Sequence, residues 1–292
     1  MSGLALTLVL CAAALHALWN AIIKAADDRA LTLAAISVTN VLAGAALIAL
    51  FPAPAAESWP YIAASTLIHY GYYVFLFLAY RLGDFSQVYP ISRGLAPVLV
   101  ALGAQAFAGE TLPVLAWLGL LSVSCGIIVL SLPSLGSTPN PLAVAAAAGT
   151  GLFIASYTVV DGIGVRLADS PFGYIGWLFF LEFPVVIVVA LQQRGKPPAM
   201  RWPAIRLGLL GGAFAALAYG MVIYVKVFAP LGAVSAVRES SVIFAAIIGA
   251  VWFGERPWRR RVFAAAIVAS GVAALGFMRE SAASATILAA QP

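Results

Sequence analysis

The stretches ISRGLAPVLVALGAQAFAGE at 91–110 and AVRESSVIFAAIIGAVWFGE at 236–255 are two copies of one pattern. Laid together without gaps, they place Arg93 on Arg238 and Gly109-Glu110 on Gly254-Glu255. Small apolar residues agree by chance often; an arginine inside an apolar run, followed at the same distance by Gly-Glu, does not. Upstream, HYGYYVFLFLAYRLGDFS (69–86) aligns with AYGMVIYVKVFAPLGAVS (218–235), in a register that differs by four residues. That alignment matches Tyr70-Gly71 with Tyr219-Gly220, Leu82-Gly83 with Leu231-Gly232, and Ser86 with Ser235. The chain therefore reads as a duplication, with the Pro/Gly/Ser-rich stretch SLPSLGSTPNP (131–141) as the linker near its middle.

Working outward, 63% of the 292 residues are hydrophobic, 9% are charged, and the mean hydropathy is +1.01. Those values lie outside the range of soluble domains. Apolar runs of spanning length recur at 4–24, 31–51, 60–81, 86–108, 113–132, 141–166, 171–193, 204–229, 233–253 and 259–278. Continuous runs, rather than alternation, select helices over a barrel. The reading is an all-α integral membrane protein with ten transmembrane helices. Its first segment, LALTLVLCAAALHALWNAIIKAA, lacks a positive flank and outruns a leader's apolar region, so it is expected to span. The tail at 281–292 is expected to be disordered.

Five helices per copy is an odd number, so the second copy enters the membrane in the opposite sense. The expectation is two inverted five-helix repeats, 1–135 and 136–280, and with them alternating access to a site near the midplane.

Ten spans, a five-plus-five duplication and Gly-Glu closing the fourth and ninth spans resemble an EamA-type exporter of the drug/metabolite transporter superfamily. The resemblance covers about residues 4–278, and the text from ALHALWNAIIKA onward is most similar to bacterial aromatic amino acid exporters. It departs at Trp19-Asn20, where many relatives read Trp-Gly, and at Val242, which aligns with Pro97. The resemblance implies secondary or facilitative export of aromatic or apolar amino acids across the bacterial inner membrane. A broad drug or nucleoside exporter is the alternative within transport; a membrane-embedded lipid enzyme would need carboxylates or histidines clustered at one interface. A cavity lined by the first, third, fourth, sixth, eighth and ninth spans would hold the cargo.

Charges near the bilayer centre cost about 2.5 to 3.5 kcal/mol or more, so they face partners or water. Arg238 and Glu239 are neighbours, roughly 100° apart on a helix, and so are not each other's natural partner; Ser241 shares the Arg238 face. Arg238, or its repeat mate Arg93, is placed to bind a substrate carboxylate. The competing reading is an ion pair with Asp161 or Glu182 on another helix. His16, Trp19 and Asn20 share a stripe of the first span, and His69, Tyr73 and Tyr80 line the third. Tyr89 lies one turn before Arg93, Tyr157 one turn before Asp161, and Tyr219 two turns before Lys226. Tyrosines offer apolar bodies with polar tips, suited to a ring-shaped cargo. Asp161, Glu182, Lys226 and Glu239 are candidates for coupling or ion pairing, since an acid could take a substrate ammonium or an exchanged proton. Pro90, Gly94, Pro97, Gly220 and Gly232 are hinge candidates. Glu110 and Glu255 read as capping features.

No GxxxxGK, HExxH or paired CxxC occurs, and with two histidines neither ATP hydrolysis nor a histidine-rich metal centre is expected, nor any cofactor. Cys11 and Cys125 make no framework. The net charge of +5 belongs to cytoplasmic loops rather than to nucleic acid. Most Lys and Arg fall after the first, third, seventh and ninth spans, dominated by RGKPPAMR (194–201) and RPWRRR (256–261), which puts both termini outside.

Overall fold

The computed structural model describes residues 1–83, 85–131, 140–192, 198–252 and 262–276. Gly254-Glu255, the RPWRRR run, linker residues 132–139 and the tail at 281–292 lie outside the described residues. Every regular element described is helical: α1 (Gly3–Ala25), α2 (Arg29–Leu50), α3 (Trp59–Leu82), α4 (Phe85–Phe107), α5 (Val114–Ser131), α6 (Pro141–Arg166), α7 (Pro171–Phe180), α8 (Phe183–Gln192), α9 (Pro198–Lys226), α10 (Leu231–Arg238), α11 (Ser241–Val251) and α12 (Val262–Gly276).

Among the described residues, seven segments are long and apolar enough to cross a membrane: Gly3–Ala25, Leu31–Leu50, Ala56–Leu82, Pro141–Arg166, Pro171–Val188, Trp202–Lys226 and Leu231–Val251. α5 and α12 supply shorter apolar segments, and α4 has the length but carries Arg93, two prolines and Gln105. Leu42, Leu67, Val74, Phe77, Leu118 and Ile247 are exposed, an arrangement costly in water and natural where lipid is the solvent. The protein is a multi-pass helical membrane protein.

Local chemistry sets the helix ends. Asp28 Oδ1 accepts the Leu31 N–H to start α2, and Ser170 Oγ accepts the Gly173 N–H at α7, where Pro171 fills the first helical position. Pro230 has no side-chain oxygen to offer α10. Glu110 does so from a distance, its Oε2 accepting the Leu231 N–H at 2.8 Å. Gly109, just before it, has φ +65°, a value that favours glycine.

α4 runs unbroken through Pro90 and Pro97, whereas two other spans tighten midway. Between α7 and α8, Glu182 N donates to Phe179 O and Val185 N to Glu182 O. Between α10 and α11, Ser240 N donates to Val237 O, Val242 N to Glu239 O and Ile243 N to Ser240 O. These i to i+3 bonds make 3-10 junctions, which recur at hinges and strained sites. Pro184 explains the first, because it cannot donate to the preceding turn. At the second, Glu239-Ser240-Ser241 has no proline but two serines, a residue type that offers the backbone alternatives to regular helix.

The chain forms two compact units. The first comprises Met1–Leu10, Leu67–Val159 and Phe228–Pro292. In it α5 and α12 pass antiparallel at glycines: a Cβ on Gly119 would lie 2.8 Å from Gly271 O, and one on Gly126 3.1 Å from Ala264 O. α4 and α10 are antiparallel as well, for Arg93 meets Glu239 while Ala101 packs on Gly232. Gly71 faces Phe153, and Gly149 faces Phe75, where α3 meets α6.

The second unit comprises Cys11–Thr66 and Val160–Val227. Here α2 lies against α7, α8 and α9. α2 and α7 are antiparallel, with Phe51 beside Phe172 and Gly44 beside Gly176 and Phe180. A core of Ile62, Val165, Tyr174, Ile175, Phe179 and Ile223 completes this unit. Such close crossings suit helices in lipid, where dispersion contacts rather than water exclusion drive association.

Gly44→Ala is expected to destabilise the protein by about 1 to 3 kcal/mol, the range for overpacking a tight core. The added methyl would stand 2.5 Å from Phe180 N and 2.7 Å from Gly176 O, backbone atoms that cannot step aside. Gly211→Ala, whose methyl would meet only side-chain atoms at 3.4 Å or beyond, is the near-neutral control. Thermal melts in detergent compare the two, and equal midpoints would remove the Gly44 crossing from the stability argument.

Candidate functional site

In the first unit, tyrosines and charges collect on α3, α4, α6 and α10. Arg93 on α4 is buried and its Nη1 donates to Glu239 Oε1 at 3.1 Å; its guanidinium carbon sits 5.6 Å from the Tyr89 ring centre. His69 stacks on Tyr157 with centroids 4.1 Å apart, and Tyr72 meets the same ring edge-on at 5.9 Å. Tyr72 lies within electrostatic range of Tyr89, Tyr157, Arg93 and Arg238, and Tyr80 within range of Tyr72, Tyr89 and Arg93. Tyr73 tilts against Tyr72 and is 37% exposed. Arg238, the last residue of α10, is half-buried, while Glu239, Ser240 and Ser241 are buried. Residues distant in sequence thus come together: His69 on Tyr157 and Arg93 on Tyr89 in contact, with Tyr80 and Arg238 within electrostatic range of the same cluster.

The second unit holds a different cluster. Asp161 is wholly buried; Tyr219 Oη donates to its Oδ2 at 2.8 Å, Tyr174 Oη to its Oδ1 at 3.3 Å, and Lys226 Nζ lies 3.8 Å from Oδ2. Arg166 Nε donates to the Lys226 carbonyl at 2.8 Å, tying the end of α6 to the end of α9. Glu182, half-buried at the α7–α8 junction, accepts the Asn40 Nδ2–H at 2.9 Å. In α1, Trp19 Nε1 donates to His16 Nδ1 and Asn20 Nδ2 to His16 O, so that stripe is knit partly to itself.

Asp161 and Glu182 therefore take Lys226 and Asn40, and Arg93 pairs with Glu239. Of the hinge candidates, Pro90, Gly94 and Pro97 are buried within continuous α4; Gly232 packs tightly on Ala101; Gly220 has open space, with Ile175 at 3.9 Å. Asn40 and Tyr174 were not singled out by sequence. A buried carboxylate must find donors, yet nothing local says that Tyr174 supplies one.

The buried cluster around Arg93 lies partly on α6 and α10, in the second half of the chain. Residues 141–277 match the EamA-like transporter family. The EamA-like segment spans α6 to α12 and so contains Tyr157, Asp161, Lys226, Arg238 and Glu239. No curated protein matches the chain. One solved crystal structure is similar to it with a TM-score of 0.70 at 18% identity, over 94% of this chain and 96% of that one. At that identity the likeness speaks to the fold: residues before the EamA-like segment share an architecture already seen in a crystal.

Proposed function

We propose that the protein is a secondary or facilitative exporter of small metabolites, aromatic or apolar amino acids above all, working by alternating access. The observation that carries this reading is the gathering of Tyr72, Tyr89, Arg93, Tyr157 and Arg238 in one unit of a helical membrane protein. Ionisable groups that deep in apolar helices mark pathways or binding sites, and ring-bearing cargo with a carboxylate matches tyrosine faces beside a guanidinium.

Ten spans in two inverted repeats remain the architecture we infer. Joining α7 to α8 and α10 to α11 through their 3-10 junctions leaves ten crossings if α4, α5 and α12 also traverse. Inversion of a five-span unit requires corresponding helices to run antiparallel. The α2/α7, α4/α10 and α5/α12 crossings support that requirement. Loops rich in Lys and Arg would face the cytoplasm of a bacterial inner membrane.

Counterflow in liposomes loaded with labelled Trp, Phe or Thr, with and without a pH gradient, tests the function. Saturable exchange of Trp and Phe supports the amino acid reading; exchange of nucleosides or cationic drugs with none of amino acids would favour the broader carrier. Tyr73→Ala should lower the preference for Phe over Leu by up to about tenfold, the scale of an aromatic contact worth about 0.5 to 1.5 kcal/mol. The ratio of the two counterflow rates measures it, and equal loss for both cargoes would assign Tyr73 to packing.

A further inference from the structure

We propose that the α10–α11 junction is a subsite for the ammonium group of a zwitterionic cargo, with Glu239 Oε2 as its acceptor and Ser240, the next residue, as a second polar contact. The proposal rests on the transport reading above and narrows its cargo to compounds that carry an amine next to a carboxylate.

Glu239 is 2% exposed, and only one of its oxygens is occupied. Oε1 accepts from Arg93, whereas Oε2 has no hydrogen-bond partner among the described residues. The next side chain repeats the pattern: Ser240 is also 2% exposed and its Oγ is likewise unpartnered. Buried polar atoms are nearly always satisfied, and a charged one left open is among the costliest defects a fold can carry. Two such atoms on consecutive residues, at a 3-10 junction inside a spanning segment, are groups that the donor of a ligand would satisfy.

The chemistry of that occupant follows from the atoms. A carboxylate paired with a guanidinium is an acceptor, so what meets Oε2 must donate. Arg93 and Arg238 close by impose a further condition, because a bare amine would add positive charge beside two guanidinium groups. A zwitterion leaves that balance unchanged: its carboxylate goes to Arg238 and its ammonium to Glu239, the next residue along the chain. Tyr72 lies within electrostatic range of both arginines and offers an aromatic face to the same neighbourhood.

The test uses the full chain in detergent and three probes: L-phenylalanine, phenethylamine, which lacks the carboxylate, and 3-phenylpropionate, which lacks the amine. Affinity is read from ligand-dependent melting and intrinsic tryptophan fluorescence. Glu239→Gln keeps an acceptor for Arg93 while removing the charge. It should weaken phenylalanine and phenethylamine about tenfold or more, the scale of a hydrogen bond to a charged group, and leave phenylpropionate within about twofold. Ser240→Ala, which disturbs no ion pair, should weaken the two amines about threefold and spare phenylpropionate, on the scale of a neutral hydrogen bond; it carries the test if Glu239→Gln does not fold. Unchanged affinities for all three probes would mean a structural water only and overturn the proposal. So would equal losses across the three, or stabilisation of the protein by sodium ions in place of the amines.

Counterflow separates this proposal from the transport reading. Amine-selective binding without flux keeps the subsite and removes the transporter. Phenylalanine flux whose half-saturation is unmoved by both variants removes the subsite and keeps the transporter.

Discussion

Lys226→Met should lower the stability of the protein by about 3 to 5 kcal/mol, the cost of breaking a buried ion pair from one side. Methionine matches lysine in length, so little packing is lost and the effect is electrostatic. Asp161, with no exposed surface, would keep two tyrosine hydroxyls but lose the ammonium 3.8 Å away. The double variant Asp161→Asn/Lys226→Met should recover most of the loss, since two neutral groups leave no buried charge. Detergent melts of the wild type, both single variants and the double variant measure the coupling directly. If Lys226→Met melts with the wild type, the pair contributes nothing and the junction of α6 with α9 rests on apolar packing, the Tyr219–Asp161 hydrogen bond and Arg166.

Arg238→Ala should reduce amino acid counterflow to background while the protein remains folded. Arg93 is engaged by Glu239 and by the Tyr89 face, and removing it would expose a buried acid. Arg238 is more exposed, ends a helix, and lies within electrostatic range of Tyr72. A lost charge-assisted contact of about 1.5 to 3 kcal/mol lowers apparent affinity roughly 10- to 150-fold. Counterflow over a wide substrate range, alongside a melt, separates affinity from folding. Flux at the wild-type level would take Arg238 out of the site.

Helical crossings were legible in the sequence because spanning length is a local property. Lipid offers no hydrogen bonds, so an apolar run of about twenty residues has one structural solution. Boundaries at 4–24, 60–81 and 141–166 accordingly fall close to α1, α3 and α6. Breaks were less legible. Pro90 and Pro97 are the strongest local signals of interruption in the fourth span, yet α4 continues through them, as spanning helices do when neighbours accommodate the freed carbonyls. The tightened turn falls instead at Glu239-Ser240, where Glu239 reaches Arg93 on another helix.

The sequence by itself determined that the chain is helical, lies in a membrane and buries charge, because composition and period are read one segment at a time. Only the tertiary structure decided the partners: Arg93 with Glu239, Asp161 with Lys226 and two tyrosines, Glu182 with Asn40, and Glu110 with the first N–H of α10. Each of these unions joins residues from separate segments of the chain. A buried charge announces its need for a partner locally, but which group arrives to meet it depends on how the helices pack.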